Sequence, residues 1–195
     1  VGVESIEGGA RVERVVLSDG TALDADVVVV GIGVMPNTEW LEGSGLEIDN
    51  GVVCDATCLA APGVVAAGDI ARWPNERFGE VMRVEHWDNA VEQGGYAARR
   101  LLLADDDASI DPFAPVPWFW SDQYDRKIQL AGRIRPDDEM RIVTGSVEER
   151  RFAALYGREG RFVGVLGFNR PRHVMQYKTL IEQGASYADA LAAEI

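Results

Sequence analysis

The chain has 195 residues, 47% hydrophobic and 26% charged, which suits a globular protein of one or two domains with a sizeable core. Its formal net charge of −13 argues against nucleic acid as a partner. With neither a charged-then-apolar leader nor an apolar run of about 18 residues, the expectation is a soluble cytoplasmic protein without membrane contact.

The first predicted elements form a β-meander. Val1 to Glu7 and Arg11 to Leu17 alternate as strands do, Gly8-Gly9 and Ser18-Asp19-Gly20 are turns, and Thr21 to Leu23 begins a third strand. The run Val27-Val28-Val29-Val30 then predicts a central strand buried on both faces. A sheet that starts with edge strands, lacks an initiating Met and reaches a buried strand so late is expected at the end of a domain that begins elsewhere.

Next comes Gly31-Ile32-Gly33-Val34-Met35-Pro36-Asn37. Two glycines at a strand end allow close backbone approach to a phosphate or a ring, but Pro36 occupies the position that would complete G-x-G-x-x-G. The motif therefore fails as a dinucleotide fingerprint, and a Gly-rich turn explains it equally well. Trp40 to Leu46 reads as a short helix ending at Gly43 or Gly45, and Leu46 to Val53 as a hairpin around Asn50-Gly51. Cys54 and Cys58 have neither C-x-x-C spacing nor a nearby His, so ordinary thiols are expected.

Val64 to Ala67 predicts a short strand buried on both faces, ending in Gly68-Asp69. Gly68 permits a sharp turn or close ligand approach, and Asp69 could accept hydrogen bonds from sugar or ribityl hydroxyls. A strand that stops at Gly, with Asp capping the next element, is the competing reading. Beyond Arg83-Val84-Glu85-His86-Trp87, small and apolar residues at Ala90, Val91, Gly94, Ala97, Ala98, Leu101 and Leu102 predict a helix over about 88–103, started by Asp88 or Asn89. Its N-terminus would favour an anion such as the edge of a reduced flavin.

The polar stretch Ala104 to Pro112 reads as a surface loop or domain boundary, and the charge changes across it. Residues 1–112 hold 21 Asp and Glu against 7 Lys and Arg, whereas residues 113–195 hold 11 against 12. Trp118-Phe119-Trp120 is either core or a stack beside a planar cofactor. Lys127–Gly132, Met140–Gly145, Arg151–Gly157 and Arg161–Phe168 alternate as antiparallel strands, and two helices split at Gly184 close the chain.

Taken in order, Gly31-Ile32-Gly33-x-x-Pro36-Asn37, Ala67-Gly68-Asp69, Arg83-Val84-Glu85-x-Trp87-x-Asn89-Ala90 and the run Pro117 to Tyr124 resemble the ferredoxin-reductase branch of the FAD-dependent pyridine nucleotide-disulfide oxidoreductases. The resemblance covers essentially the whole chain, and the aromatic run is its most specific part. It implies an α/β fold, part of a three-layer FAD/NAD-binding architecture followed by a small antiparallel sheet with helices. Residues 1–32 would be the tail of an NAD-binding domain, 33–112 the returning part of an FAD-binding domain, and 113–195 a C-terminal interface domain. The family's two nucleotide fingerprints are not found here, so a C-terminal fragment of an enzyme is expected, inactive by itself and partnered by the missing N-terminal half.

The resemblance also implies site residues. Asp69, with Gly68 before it, would bind the ribityl chain of FAD; Trp87 would meet the pyrimidine end of the flavin through its backbone; and Trp120 would lie near the flavin. Gly31 and Gly33 would approach NAD(P)H, and Glu85 would face the nicotinamide carboxamide. No side chain is expected as nucleophile or base, and no metal is expected. Electrons would pass from NAD(P)H through FAD to a ferredoxin-type iron–sulfur protein feeding an oxygenase. A non-catalytic interaction module derived from such a reductase, or the reductase component of a dioxygenase or nitrite-reductase system, are the alternatives. Arg126, Lys127, Arg133, Arg135 and Arg141 stand near the aromatic run and would attract an acidic acceptor.

Overall fold

Residues 1–105, 107 and 109–195 are described by a computed structural model, which divides into two units, Val1–Met35 and Pro36–Ile195. In the first, β1 (Val3–Gly8), β2 (Val12–Leu17) and β3 (Ala22–Asp24) form the expected antiparallel meander. Its turns hold because Gly20 adopts a positive φ of 82° and the Asp19 carboxylate accepts the Thr21 amide at 3.0 Å. The valine run departs from expectation. Residues 27–30 form no strand, and Val29 is 91% exposed. A strand buried on both faces needs neighbours on either side, and no described residue of this chain pairs with these valines.

The second unit opens with a single 3₁₀ turn, Glu39–Leu41, where the sequence predicts a longer helix; Gly43 and Gly45, both at positive φ, end it. The Asn-Gly hairpin is present in reduced form. Asn50 and Gly51 take positive φ, Ile48 bridges Val52, and β4 (Val52–Val53) then runs parallel to β7 (Ala71–Asn75). The strand expected over 64–67 is shorter and more exposed. Only Val64–Val65 forms a strand, β6, as a hairpin with β5 (Leu59–Ala61), and Val64 is exposed. Two such narrow strands have no second layer to bury both faces, and Gly68 with Asp69 falls in the 3₁₀ turn Gly68–Ile70 instead of a strand end.

Strand β7 pairs on its other side with β8 (Glu80–Met82). Its inward side chains, spaced by two, hold the segment that leads into the C-terminal sheet. Trp73 Nε1 donates to the Phe113 carbonyl at 2.9 Å and Asn75 Nδ2 to that of Pro115 at 3.0 Å, and just beyond the strand Arg77 Nε donates to that of Ala114, also at 3.0 Å. Buried donors thereby satisfy carbonyls that have no strand partner.

Helix α1 spans Trp87–Arg100. The helix is where the sequence places it, but its inner face is not the apolar stripe. Asn89, Gln93, Ala97 and Arg100 are buried, whereas Val91, Leu101 and Leu102 are exposed. It starts one residue earlier than expected, with His86 as the cap and no side-chain cap bond. Of the expected loop Ala104 to Pro112, Asp106 and Ala108 lie outside the described residues; the rest contains no strand or helix.

The aromatic run forms β9 (Trp118–Gln123), an edge strand of a five-stranded antiparallel sheet with β10 (Arg126–Gly132), β11 (Glu139–Ser146), β12 (Arg151–Arg158) and β13 (Arg161–Phe168), in the order β11-β12-β13-β10-β9. Helices α2 (Pro171–Glu182) and α3 (Tyr187–Ala192) lie against it. A Cβ on Gly167 would sit 2.2 Å from Val174 Cγ2, and one on Gly157 2.4 Å from the Tyr187 ring, so both glycines set how closely the helices approach. One hydrophobic core runs through this unit, including Trp73 and Phe113 as well as Leu155, Val165 and Tyr177.

Candidate functional site

The residues with the most pronounced unmet chemistry gather where the start of α1 meets β9. A cleft of about 290 Å³ opens there, lined by Glu85, His86, Trp87, Asp88, Phe119 and Trp120. Its wall is aromatic. The Trp87 and Trp120 rings stand edge to face at 6.3 Å and 75°, Trp118 and Trp120 lie 4.9 Å apart at 33°, and His86 tilts over Phe119 at 5.0 Å. Trp120 is on the second residue after Trp118, so alternation along β9 puts both indoles on one side. Trp87 is 72% exposed, a large apolar ring left in water at the mouth of the cleft.

Polar atoms without partners lie on the segments that form it, two of them, on His86 and Asp88, on residues of its lining. Arg83 Nε, His86 Nδ1, Asp88 Oδ1, Asn89 Oδ1 and Trp118 Nε1 are buried and make no hydrogen bond among the described residues. Such atoms are costly to leave unmet, so their clustering marks a place for a polar-edged ligand. Burial is the main influence on His86 and lowers its pKa below the ordinary imidazole value, with the Asp88 carboxylate pulling the other way. Burial also lifts the Asp88 carboxyl above its usual range. With no side chain capping α1, the N–H groups of its first turn face this region, carrying the positive end of the helix dipole.

Arg83 connects this cleft to the Gly68-Asp69 turn. Its Nη1 donates to the Asp69 carbonyl at 2.9 Å, and its Nη2 pairs with Glu85 at 2.6 Å. The Asp69 side chain is left exposed. The structure thus brings Gly68, Asp69, Glu85 and Trp87 together around the start of α1, with Trp120 opposite. Gly31 and Gly33 belong to the first unit, in a segment without regular structure; Gly33 has φ +89°, and a Cβ on either would meet nothing within 4 Å.

Arg83, His86 and Phe119 carry no role that the sequence assigns, and Asp88 only that of a helix start, although all four fall within the motifs at 83–90 and 117–124. Alternation along β9 draws attention to the indoles and passes over Phe119. Cys54 and Cys58 are the ordinary buried thiols expected, with burial pushing their pKa values up to about 11 and about 12. Of the five basic residues expected near the aromatic run, Arg141 lies instead on β11, at the opposite edge of the sheet from β9, and the other four are internally paired. Arg126 meets Asp125, Lys127 meets Asp122, and Arg133 and Arg135 both reach Glu80.

Comparison with known proteins matches residues 1–94 to the pyridine nucleotide-disulphide oxidoreductase family and residues 118–195 to the reductase C-terminal family. The chain belongs to the ferredoxin-reductase branch of the pyridine nucleotide-disulphide oxidoreductases. It is 38% identical to the ferredoxin–NAD(+) reductase component of the anthranilate 1,2-dioxygenase system of Burkholderia cepacia, over 91% of this chain and 42% of that protein. It is 34% identical to putidaredoxin reductase of Pseudomonas putida, over 92% of this chain and 42% of that one. The crystal structure of a covalent putidaredoxin reductase–putidaredoxin complex superposes with a TM-score of 0.81 at 31% identity, covering 98% of this chain and 46% of the solved one. The chain therefore spans less than half the length of these curated relatives, and its mixed α/β fold is theirs.

Proposed function

We propose that this chain is the C-terminal, flavin-facing part of an NAD(P)H-dependent FAD enzyme that hands electrons to a ferredoxin-type iron–sulfur protein serving an oxygenase. The observation that carries this reading is the cleft at the start of α1, where unpartnered polar atoms and an uncapped helix N-terminus adjoin two indole rings. The fit to FAD is specific in kind. The pyrimidine edge of its ring presents carbonyl oxygens and an imide, which suit the first-turn N–H groups and the free acceptor oxygens of Asp88 and Asn89. The indoles of Trp87 and Trp120 supply apolar cover beside such a ring. Asp69 would hold ribityl hydroxyls, Gly31 and Gly33 would lie near NAD(P)H, and Glu85 would face the nicotinamide carboxamide.

When bound, FAD supplies the chemistry, accepting a hydride and releasing electrons singly. The contribution of this chain is electrostatic and steric. The positive end of the α1 dipole favours negative charge at the cleft. Phe119, Trp120 and Trp87 exclude water from one side, and lowering of the His86 pKa keeps that imidazole neutral near pH 7, so the positive influence at the cleft comes from the helix rather than from His86.

The test is made on the protein that carries this chain, saturated with FAD. NADH should bleach its flavin absorbance under anaerobic conditions, and the reduced protein should reduce an iron–sulfur ferredoxin. A protein that takes up no FAD, or whose bound flavin stays oxidised with both NADH and NADPH, overturns the proposal.

A further inference from the structure

The buried face of α1 carries a polar network centred on Gln93, a residue that does not line the cleft. Gln93 is completely buried, and so nearly is Asn89, one turn before it. The Gln93 Oε1 accepts the Gly68 N–H at 2.9 Å and an Asn89 Nδ2 hydrogen at 3.3 Å, while Gln93 Nε2 donates to Cys58 Sγ at 3.4 Å. Asn89 Nδ2 also reaches the Val84 carbonyl at 3.3 Å. A backbone N–H can only donate, so the oxygen of Gln93 must face Gly68, and its NH₂ is thereby turned toward the thiol.

Gly68 is in the left-handed region at φ +74° and packs directly over Ala90, where an added Cβ would meet Ala90 Cβ at 3.5 Å. Cys58 is also left-handed, at φ 62°, and fully buried. Gln93 thus bonds the backbone of one left-handed residue and the side chain of another. The 3₁₀ turn Gly68–Ile70 has no side-chain cap of its own. Among the described residues the Gln93 bond is the hydrogen bond that ties the turn to the helix, while Arg83, ahead of the helix, holds the Asp69 carbonyl.

We infer that Gln93 is a positioning residue: through the Gly68 N–H it fixes the Gly68-Asp69 turn against α1, so that the Asp69 carboxylate and the helix N-terminus are presented to one ligand in a single geometry. This rests on the proposed flavin site for the identity of the ligand, though not for the anchoring itself. Cys58 acts as the backstop that orients the amide, and its raised thiol pKa keeps it a neutral acceptor. A carboxylate held in place needs no ordering when the ligand arrives, which is how rigid supporting contacts raise affinity.

Two variants separate the anchor from plain core packing. Gln93→Leu keeps the volume and removes the acceptor, whereas Gln93→Glu keeps an acceptor toward Gly68 and loses the donor to Cys58. In the 195-residue chain, amide exchange at Gly68 should speed up at least about tenfold in Gln93→Leu and stay close to wild type in Gln93→Glu, with Leu155 and Val165 in the sheet core as references for global opening. In the FAD-loaded protein that carries this chain, the Kd for FAD should rise about tenfold in Gln93→Leu and recover in Gln93→Glu. The inference is overturned if Gly68 stays protected in Gln93→Leu, or if FAD affinity falls alike in both variants in step with their Tm. If Gly68 protection tracks Gln93 while the wild-type protein binds no FAD, the anchor stands and the flavin reading falls.

Discussion

Asp69 and the two cysteines show how differently three side chains within about fifteen positions are used. The Asp69 backbone is tied down, with its carbonyl accepting from Arg83, yet its carboxylate faces solvent. A carboxylate that bonds a ribityl hydroxyl makes a charge-assisted contact of about 1.5–3 kcal/mol, so Asp69→Ala should weaken FAD binding by about one to two decades. Titration of the apoprotein with FAD measures this, and unchanged affinity would leave Asp69 as no more than a turn residue. Cys54 and Cys58 are the opposite case. Burial keeps both thiols protonated, with pKa values of about 11 and about 12, and the thiolate is the reactive form. Neither should be alkylated by iodoacetamide at neutral pH in the native protein, and both should be modified in denaturant; fast native labelling at either position would contradict the burial described.

Among the elements, the β7–β8 hairpin and the C-terminal sheet are joined by an ion-pair network. Glu80 on β8 receives Arg133 and Arg135, and Arg158 on β12 bonds Asp138 through Nε at 2.7 Å and Nη2 at 2.9 Å. Burial works to raise both carboxyls, but the hydrogen bonds and positive charge of the arginines outweigh it and hold them below the ordinary range. A depressed folded-state pKa contributes stability that is complete above the unfolded value and is lost as pH falls through the folded one, so the loss belongs below about pH 4. The Asp138 side chain is only 1% exposed, and Asp138→Asn should cost about 3 kcal/mol and flatten the acid limb of Tm against pH. An unchanged acid limb would remove Asp138 from that role. Much of this level is legible in the sequence. The strands over 126–168 match their alternation to within a residue or two, because each has its partner next to it in the chain. The valine run misleads because burial of a strand is decided by neighbours, which the described residues do not supply to it. The inner face of α1 misleads because Asn89, Gln93 and Arg100 are buried by hydrogen bonds, and apolar periodicity does not register such a face.

At the scale of the whole molecule, charge decides how an acceptor can be met. The chain carries −13, made of −14 before residue 113 and +1 from there on, so an acidic iron–sulfur protein is repelled by the bulk and tolerated by the C-terminal part. The cationic residues do not form an open basic patch at β9, because Arg126, Lys127, Arg133 and Arg135 each have a carboxylate within the chain and Arg141, on β11, stands at the opposite edge of the sheet. Self-paired charges steer weakly. Reduction of an acidic ferredoxin by the FAD-loaded protein should therefore fall by less than about tenfold as salt shortens the screening length to roughly 8 Å. Arg141 stands on the sheet edge opposite β9, so Arg141→Glu should leave both acceptor reduction and NADH-to-ferricyanide turnover unchanged. Reversing Arg133 and Arg135 to Glu should instead lower Tm first, because it places two carboxylates beside Glu80. Stopped-flow reduction over a salt series, with thermal melts of the same variants, measures all three effects. A steep salt dependence that vanishes in the Arg133/Arg135 double variant, with Tm unchanged, would show that these arginines leave Glu80 to greet the partner, and would overturn the paired arrangement as the state that docks.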